Sequence, residues 1–439
     1  MVNLKEQFLS NKLVYGLILA IFFVLPFERI PTIELGGFTL KASFVLSFIL
    51  LLLLFSLKGW RLFFQDKLTL SDKVLTLFWS LAMITSIWSP DWKRSITLTL
   101  VWGFIFVLYL IFSRFLHDLK MREKIESIVL VATTLVCLFG LYQFLGDSFG
   151  LPLAWTGLRV MYSKSILGFP RIQSVALEPL YFANFLMVPF FLALKKYFLA
   201  EKGRLFQTVL PVLILVNLIL TVSRGAYIAL GISFFFLCLA FLFYRGKILR
   251  IKRIIGFFGI VFISLAISFA LIYFTNGRQA NQNFVNHGAA VGDVQSDGSA
   301  NDRLTSYRIA LNLFKQKPIL GNGPGSFGVL TEKTNKSSEK ITYGIVNNEY
   351  LEILAENGLV GLSCFLLFIL LLFKEMVSSV MSKSQEDRIA FFLLFLGLLA
   401  IFIQYNFFST LYIIYIWLFL ALLRGEASPS FKNAEKVET

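Results

Sequence analysis

Long apolar runs recur along this chain and constrain it more than any other feature. They lie near 13–27, 42–57, 73–88, 96–113, 125–145, 181–194, 206–222, 225–244, 254–274, 350–373, 389–408 and 409–423. A helix of about 20 apolar residues crosses the hydrocarbon core of a bilayer. Inside that core, backbone polar groups must bond within the segment, so helices are the expected form. With 57% hydrophobic and 15% charged residues, a water-soluble fold would leave too much apolar surface exposed. The expectation is an all-α polytopic membrane bundle of about twelve helices. The first run is short, carries Pro26, and is followed by Glu28 and Arg29 rather than a cleavage site, so it reads as a span. The last two runs meet in a tight turn near 406–409.

The basic residues fall in alternate loops. Lys58, Arg61, Lys67 and Lys73 follow the second run, and Arg114, Lys120, Arg122 and Lys124 the fourth. Lys195, Lys196, Lys202 and Arg204 follow the sixth, and Arg245, Lys247, Arg250, Lys252 and Arg253 the eighth. Lys374, Lys383 and Arg388 follow the tenth. Positive loops stay cytoplasmic, which places both termini inside and a long polar loop outside. The expected organisation is helices 1–9 over 1–274, an extracytoplasmic loop over 275–348, helices 10–12 over 349–424, and a cytoplasmic tail over 425–439. This topology accounts for most of the net charge of +15, with membrane lipids as contacts. Scattered loop charges exclude nucleic acid as a partner. Cys137, Cys238 and Cys364 sit in apolar runs and read as packing residues. With His117 and His287 they give no metal-ligand spacing, and no phosphate-loop or dinucleotide fingerprint occurs. No metal or cofactor is expected.

Candidate functional residues gather on the expected outer face. In the loop 146–180, which also carries Trp155, Arg159, Lys164 and Arg171, Glu178 precedes Pro179 at a helix mouth. There it either caps the helix or faces an external cavity. Arg224 opens a helix with no other charge near it, and can meet headgroups or hold an anion inside the bundle. Within the polar loop, 275–300 is poor in apolar residues and reads as mobile. Residues 302–316 read as a helix capped by Asn301 or Asp302 and stopped by Pro318, with Leu304, Tyr307, Leu311 and Phe314 as its apolar face. Arg303 and Arg308 lie on it. The run Gly321-Asn322-Gly323-Pro324-Gly325 follows, and Asn347 or Asn348 is expected to cap the tenth span. Glu349, Glu352 and Glu356 then share one helix face. Such acids are costly in a membrane unless that face lines a cavity or meets cations. Arginines beside a membrane cavity suit a diphosphate, because guanidinium binds phosphate oxygens bidentately and stays charged.

Ser223-Arg224-Gly225, then Arg303 with Lys317-Pro318-Ile319-Leu320-Gly321-Asn322-Gly323, then Asn348-Glu349-Tyr350-Leu351 with Glu356, Gly358 and Gly361, resemble the O-antigen ligase and polymerase family. These are bacterial membrane glycosyltransferases of the GT-C type. The resemblance implies a multi-pass protein of the inner membrane with its active site on the periplasmic side. It implies metal-independent transfer or polymerisation of a glycan from an undecaprenyl-diphosphate donor to a glycan or lipid-glycan acceptor. Arg224 and Arg303 would engage the diphosphate, and Asn347 and Glu349 would stand at the catalytic positions. Arg308, Glu178, Asn348, Tyr350 and Glu356 would contact substrate. Family ligases commonly carry His-Asn before the Tyr-Leu pair, where this chain has Asn347. An amide is no base at neutral pH, so either Glu349 deprotonates the acceptor or the diphosphate leaving group makes a base dispensable. A twelve-span transporter or lipid flippase is the alternative, although the polar residues crowd to one side rather than mid-span.

Overall fold

The computed structural model describes residues 11–29, 32–35, 38–57, 67–199, 205–243, 251–289, 298–332 and 344–427. Every one of the apolar runs is helical. They form α1 (Lys12–Val24), α2 (Ala42–Ser56), α3 (Leu70–Thr85), α4 (Trp92–Phe115), α5 (Leu119–Ser148), α6 (Pro179–Leu199), α7 (Leu205–Leu220), α8 (Arg224–Phe243) and α9 (Ile251–Asn276). After α10 (Arg278–Ala289), α11 (Gly298–Gln316) and α12 (Ser326–Glu332) come α13 (Glu349–Met381), α14 (Gln385–Gln404) and α15 (Ile414–Ala427). The all-α class holds for the body of the chain, with one short addition. Strands β1 (Thr32–Leu35) and β2 (Phe38–Lys41) pair antiparallel between α1 and α2.

Among the described residues, 7 helices are long and apolar enough to cross a membrane: α3 with the turn after it, α4, α5, α6, α8, α9 and α13. Helices α1, α2 and α7 are apolar but shorter. The protein is thus a multi-pass membrane protein, and of the about twelve expected crossings 7 meet the length and composition of a span among the described residues. Lys58, Arg61, Lys202, Arg204, Arg245, Lys247 and Arg250, used to orient the chain, lie outside the described residues, as do 290–297, 428–439 and the side chain of His287.

Helix α6 is buried on nearly all sides, the pattern of a helix apolar all round at the centre of a bundle. Helix α15 is equally enclosed. Around them, α14 lies on α6, α8 on α14, α4 on α15, and α3 on α13. Large apolar side chains such as Phe262 and Phe274 point outward. One end of the bundle is tied by buried ions. Lys195 bridges Glu126 at 2.6 Å and Glu426 at 2.9 Å, Arg122 reaches Glu426 at 3.0 Å, and Arg424 pairs with Asp72 at 2.6 Å. Paired in this way, the charges avoid the penalty of an isolated buried ion.

The opposite end is built around a break in α13. Gly358 has φ 67 and ψ −170, outside helical geometry. The groups freed by the break bond to the segment 318–323. Leu359 and Val360 donate N–H to the carbonyls of Pro318 and Ile319 at 2.9 and 3.2 Å. Asn322 and Gly323 donate back to the carbonyls of Ala355 and Glu356 at 3.3 and 2.7 Å. The Asn322 side chain adds a bond to Ala355 O at 3.0 Å. Interrupted helices persist at membrane depth only where such groups find partners within the protein. The approach is close enough that a Cβ on Gly321 would overlap the Glu356 carbonyl, and one on Gly358 the Ile319 carbonyl. Both glycines have positive φ, so each is required twice over. The glycine-rich run is accordingly buried throughout 321–328, wedged between α13 and the α3–α4 turn, where Trp88 Nε1 donates to Gly321 O at 3.3 Å.

Two expectations for the polar loop are corrected. Residues 278–289, read as mobile, form α10. Helix α11 begins at Gly298, and its buried face is not the one expected. Ala310 and Leu313 are buried with Tyr307 packed beside them, against Phe327, Val346 and Ala355. Leu304 and Leu311 remain exposed. The face is rotated because small Ala310 allows the close approach to α13 that leucine would obstruct. Arg303, half-buried, lies one turn before Tyr307 on the inward face.

Gly321→Ala is expected to destabilise the purified protein by about 2 kcal/mol or more, from positive φ and overlap together. Gly259→Ala, with open space around it in α9, is expected to be neutral or slightly stabilising. Thermal unfolding of the two variants side by side checks the difference.

Candidate functional site

The turn 405–411, between α14 and α15, joins the segments that carry the candidate residues. Glu349 opens α13, and its N–H donates to Tyr405 O at 2.7 Å. Its Oε2 accepts the N–H of Thr410 and, at 3.1 Å, that of Leu411. Asn348 caps α13 by accepting the Leu351 N–H at 3.0 Å, as one of the two expected caps, and its amide reaches Asn406 O at 3.4 Å. Tyr350 donates its hydroxyl to Phe402 O at 2.8 Å, its ring edge-on to Tyr405. Tyr307 of α11 donates towards Asn406 O at 2.9 Å and Asn347 O at 3.3 Å. Asn347 itself has φ 58, a left-handed conformation that asparagine tolerates better than most residues.

The other two glutamates of this face hold different backbone. Glu352 accepts the Val346 N–H at 3.2 Å. Glu356 accepts Gly325 N–H at 2.7 Å with Oε2 and Phe327 N–H at 3.1 Å with Oε1, which fixes the start of α12. Glu349 and Glu356 are 2% and 3% exposed. Backbone N–H groups from three segments offset the cost of the three glutamates in the membrane. Among the described residues no three histidines, cysteines or carboxylates gather as metal ligands do.

Arg224 stands at the first position of α8, after a turn in which Val222 has φ 50. A β-branched residue in that conformation is strained, as backbone at functional sites often is. The adjacent Gly225 lies against Phe407, whose ring would be 2.8 Å from a Cβ there. Arg224 thus adjoins the 405–411 turn through Gly225, and Tyr307, one turn after Arg303 on α11, bonds the same turn.

Beside Arg224 lies Arg171, which the sequence reading noted only as a loop charge. Its Nε donates to Thr221 O at 3.2 Å and its guanidinium lies 5.6 Å from the Tyr162 ring centroid. Burial first, and then the Arg224 charge, lower its pKa from that of an ordinary guanidinium. Glu178 is the acid of this group. It bonds the Tyr162 hydroxyl, whose pKa burial and the Glu178 charge push up to about 12, so the phenol stays a donor at neutral pH. Arg159 acts on Tyr162 and on Arg29, whose pKa is lowered by burial and then by Arg159. Two arginine pairs thus form, Arg171 with Arg224 and Arg159 with Arg29, whose charges act on each other near Tyr162, Glu178 and the Lys41-paired Glu28. Arg94 was also missed. It sits in the first turn of α4, its Nε 3.2 Å from where a Gly325 Cβ would be, and its charge acts on Glu352 and Glu356. A cation in a helix's first turn opposes the dipole, a signal present in the sequence. Arg308, by contrast, is exposed, on a different side of α11 from Arg303.

Residues 209–366 match the O-antigen ligase family. Over that stretch the chain resembles an O-antigen ligase domain. The match covers the stretch from α7 into α13, and so includes Arg224, Arg303, the glycine-rich run and the three glutamates. An uncharacterised protein of Haemophilus influenzae is 26% identical over 235 residues, which is 49% of this chain and 55% of that protein. The chain thus spans about half the length of the curated relative it matches. The motifs Ser223–Gly225, Arg303, Lys317–Gly323 and Asn348–Leu351 all fall within the matched stretch.

Within this domain, Glu356→Gln is expected to act through folding. The amide keeps one acceptor but turns an NH2 towards a backbone N–H, at a cost of about 1–3 kcal/mol. The midpoint of thermal unfolding should fall, with activity per folded molecule largely retained. Full stability with lost activity would assign Glu356 to the chemistry instead.

Proposed function

We propose that the protein transfers or polymerises a glycan carried on undecaprenyl diphosphate at the outer face of the inner membrane. The observation that carries this reading is the gathering of arginines at one end of the bundle. Arg224 begins a membrane-length helix with Arg171 beside it, and Arg303 is half-buried on α11 one turn before Tyr307, which bonds the 405–411 turn. An anionic headgroup whose lipid tail stays in the bilayer meets such a site without leaving the membrane. The arginines hold the diphosphate and stabilise the charge that develops on it as the bond from the anomeric carbon to its oxygen breaks. The acceptor hydroxyl attacks that carbon, and its proton passes to solvent or to the departing diphosphate.

In this reading Asn347, Asn348 and Tyr350 shape the acceptor side, and Glu178 with Tyr162 orients Arg171. Glu349 takes a positioning role, because its Oε2 already accepts two N–H groups of the α14–α15 turn. Leaving-group stabilisation then does the work that a base does elsewhere, which fits asparagine at position 347. Arg308, exposed on α11, would touch substrate only at its outer edge.

Arg224→Ala and Arg303→Ala are each expected to abolish product in cells while protein level stays normal. Arg303→Lys should restore little, since an ammonium lacks the bidentate geometry, and Arg171→Ala should lose at least tenfold, about 1.4 kcal/mol or more. Lipid-linked and mature surface glycan resolved on a gel provide the readout. In cells lacking the gene, single repeat units mean polymerase, and full-length polymer stranded on the carrier means ligase. Normal glycan from both alanine variants sinks the proposal.

A further inference from the structure

A second site lies at the other end of the bundle, where no part of the proposed chemistry occurs. Helices α6, α8 and α14 each have one end at the Arg224 cluster, namely Glu178–Pro179, Arg224 and Gln404. At their far ends they enclose a cavity of about 230 Å³. Its walls are Phe198 of α6, Leu237 and Phe241 of α8, and Ile389 and Phe392 of α14. The charged residue lining it is Arg388, in the first turn of α14. Its Nε is buried and makes no hydrogen bond. Such a donor costs free energy unless something occupies it. The neighbouring acid does not serve, since Asp387 Oδ2 accepts the Ser384 hydroxyl at 2.8 Å. A second cation stands at the rim, where Arg253 of α9 donates to the carbonyl of Phe198.

We infer that this groove binds one anionic glycerophospholipid of the leaflet at this end. An acyl chain lies among the phenylalanines, and the phosphate sits on Arg388. The occupant follows from the chemistry of the walls. Aromatic and branched side chains offer a hydrocarbon chain contact without polar partners, and the arginine offers a phosphodiester a charge-assisted bond. The surroundings supply such a molecule at high concentration, and basic pockets between membrane helices recognise it in this way. Because the groove touches α6, α8 and α14 together, its lipid would fasten three helices that hold Glu178, Arg224 and the 405–411 turn at their other ends.

The test uses the full chain, released from detergent for native mass spectrometry. Phosphatidylglycerol and phosphatidylcholine with identical acyl chains are offered in turn. The wild type should retain phosphatidylglycerol in preference. R388Q should lose about tenfold of that retention, the value of one charge-assisted hydrogen bond, and approach its level with phosphatidylcholine. Ala240→Trp, which fills the groove without changing charge, should lose both lipids alike, and serves if R388Q does not purify. Equal retention of the two lipids by the wild type overturns the inference. So does an unchanged preference in R388Q, or phosphatidylglycerol retention by Ala240→Trp, a lining position of the groove, that equals the wild type's. Displacement of bound lipid by inorganic phosphate at equal concentration also overturns it, in favour of a free-anion site. Retention is read without glycan, so failure here leaves the transferase reading intact, and failure of that reading leaves the lipid site untouched.

Discussion

The break in α13 at Gly358 is the constraint on which the Arg224 end of this protein depends. A membrane helix that loses its ladder exposes donors and acceptors that hydrocarbon cannot satisfy. Here the segment 318–323 runs alongside and exchanges four backbone hydrogen bonds with 355–360. That pairing draws the glycine-rich run into the bundle. It also fixes α12 behind it through Glu356, and α11 before it through the bond from Asn322 Nδ2 to Leu313 O at 3.1 Å. Arg303 is placed by this chain of contacts. It rides on a helix whose attachment to the bundle runs through a break nine residues into α13.

The three glutamates of α13 extend the same logic. A carboxylate in a membrane span is costly alone and tolerable when it accepts N–H groups that would otherwise be unpaired. Glu349 takes those of the α14–α15 turn, Glu352 that of Val346, and Glu356 those of Gly325 and Phe327. One helix face therefore organises three irregular segments, and its negative charge is spent on architecture. The positive charge nearby is arranged differently. Arg171 feels the charge of Arg224 and Arg29 that of Arg159, and cations gathered in this way suit a multiply charged anion.

What the sequence disclosed follows from the range of the interactions involved. Each apolar run became a helix, because bilayer length and hydrophobicity are properties of one segment read alone. The cap at Asn348 is equally local. The phase of α11 was misread because Leu304 and Leu311 outweigh Ala310 in any apolar pattern, whereas packing chose the small residue for closeness. Span 350–373 read as continuous, although Asn357-Gly358 is a breaker pair. Its partner segment lies some forty positions earlier, and nothing local announces that the two meet. Arg171 and Arg29 were invisible as a group for the same reason. They stand in separate loops, and only the packing of α1 and α7 on α5 brings those loops to one end of the bundle.

Strain marks the same places. Among the described residues, the non-glycine positions with positive φ are Ser174, Val222 and Asn347, one in each segment bordering the arginines and the 405–411 turn. Each is held by its surroundings. Ser174 donates N–H to Gln143 Oε1 at 2.7 Å and its hydroxyl to Val136 O at 2.7 Å. The Val222 N–H bonds Ile219 O at 3.1 Å, and Asn347 O receives the Tyr307 hydroxyl. A conformation costing roughly 1–3 kcal/mol persists only where neighbours impose it, so the fold spends stability to aim these loops. The helices need no such strain to cross a membrane. Its concentration where cations gather is what a binding surface, assembled from loops on a rigid bundle, requires.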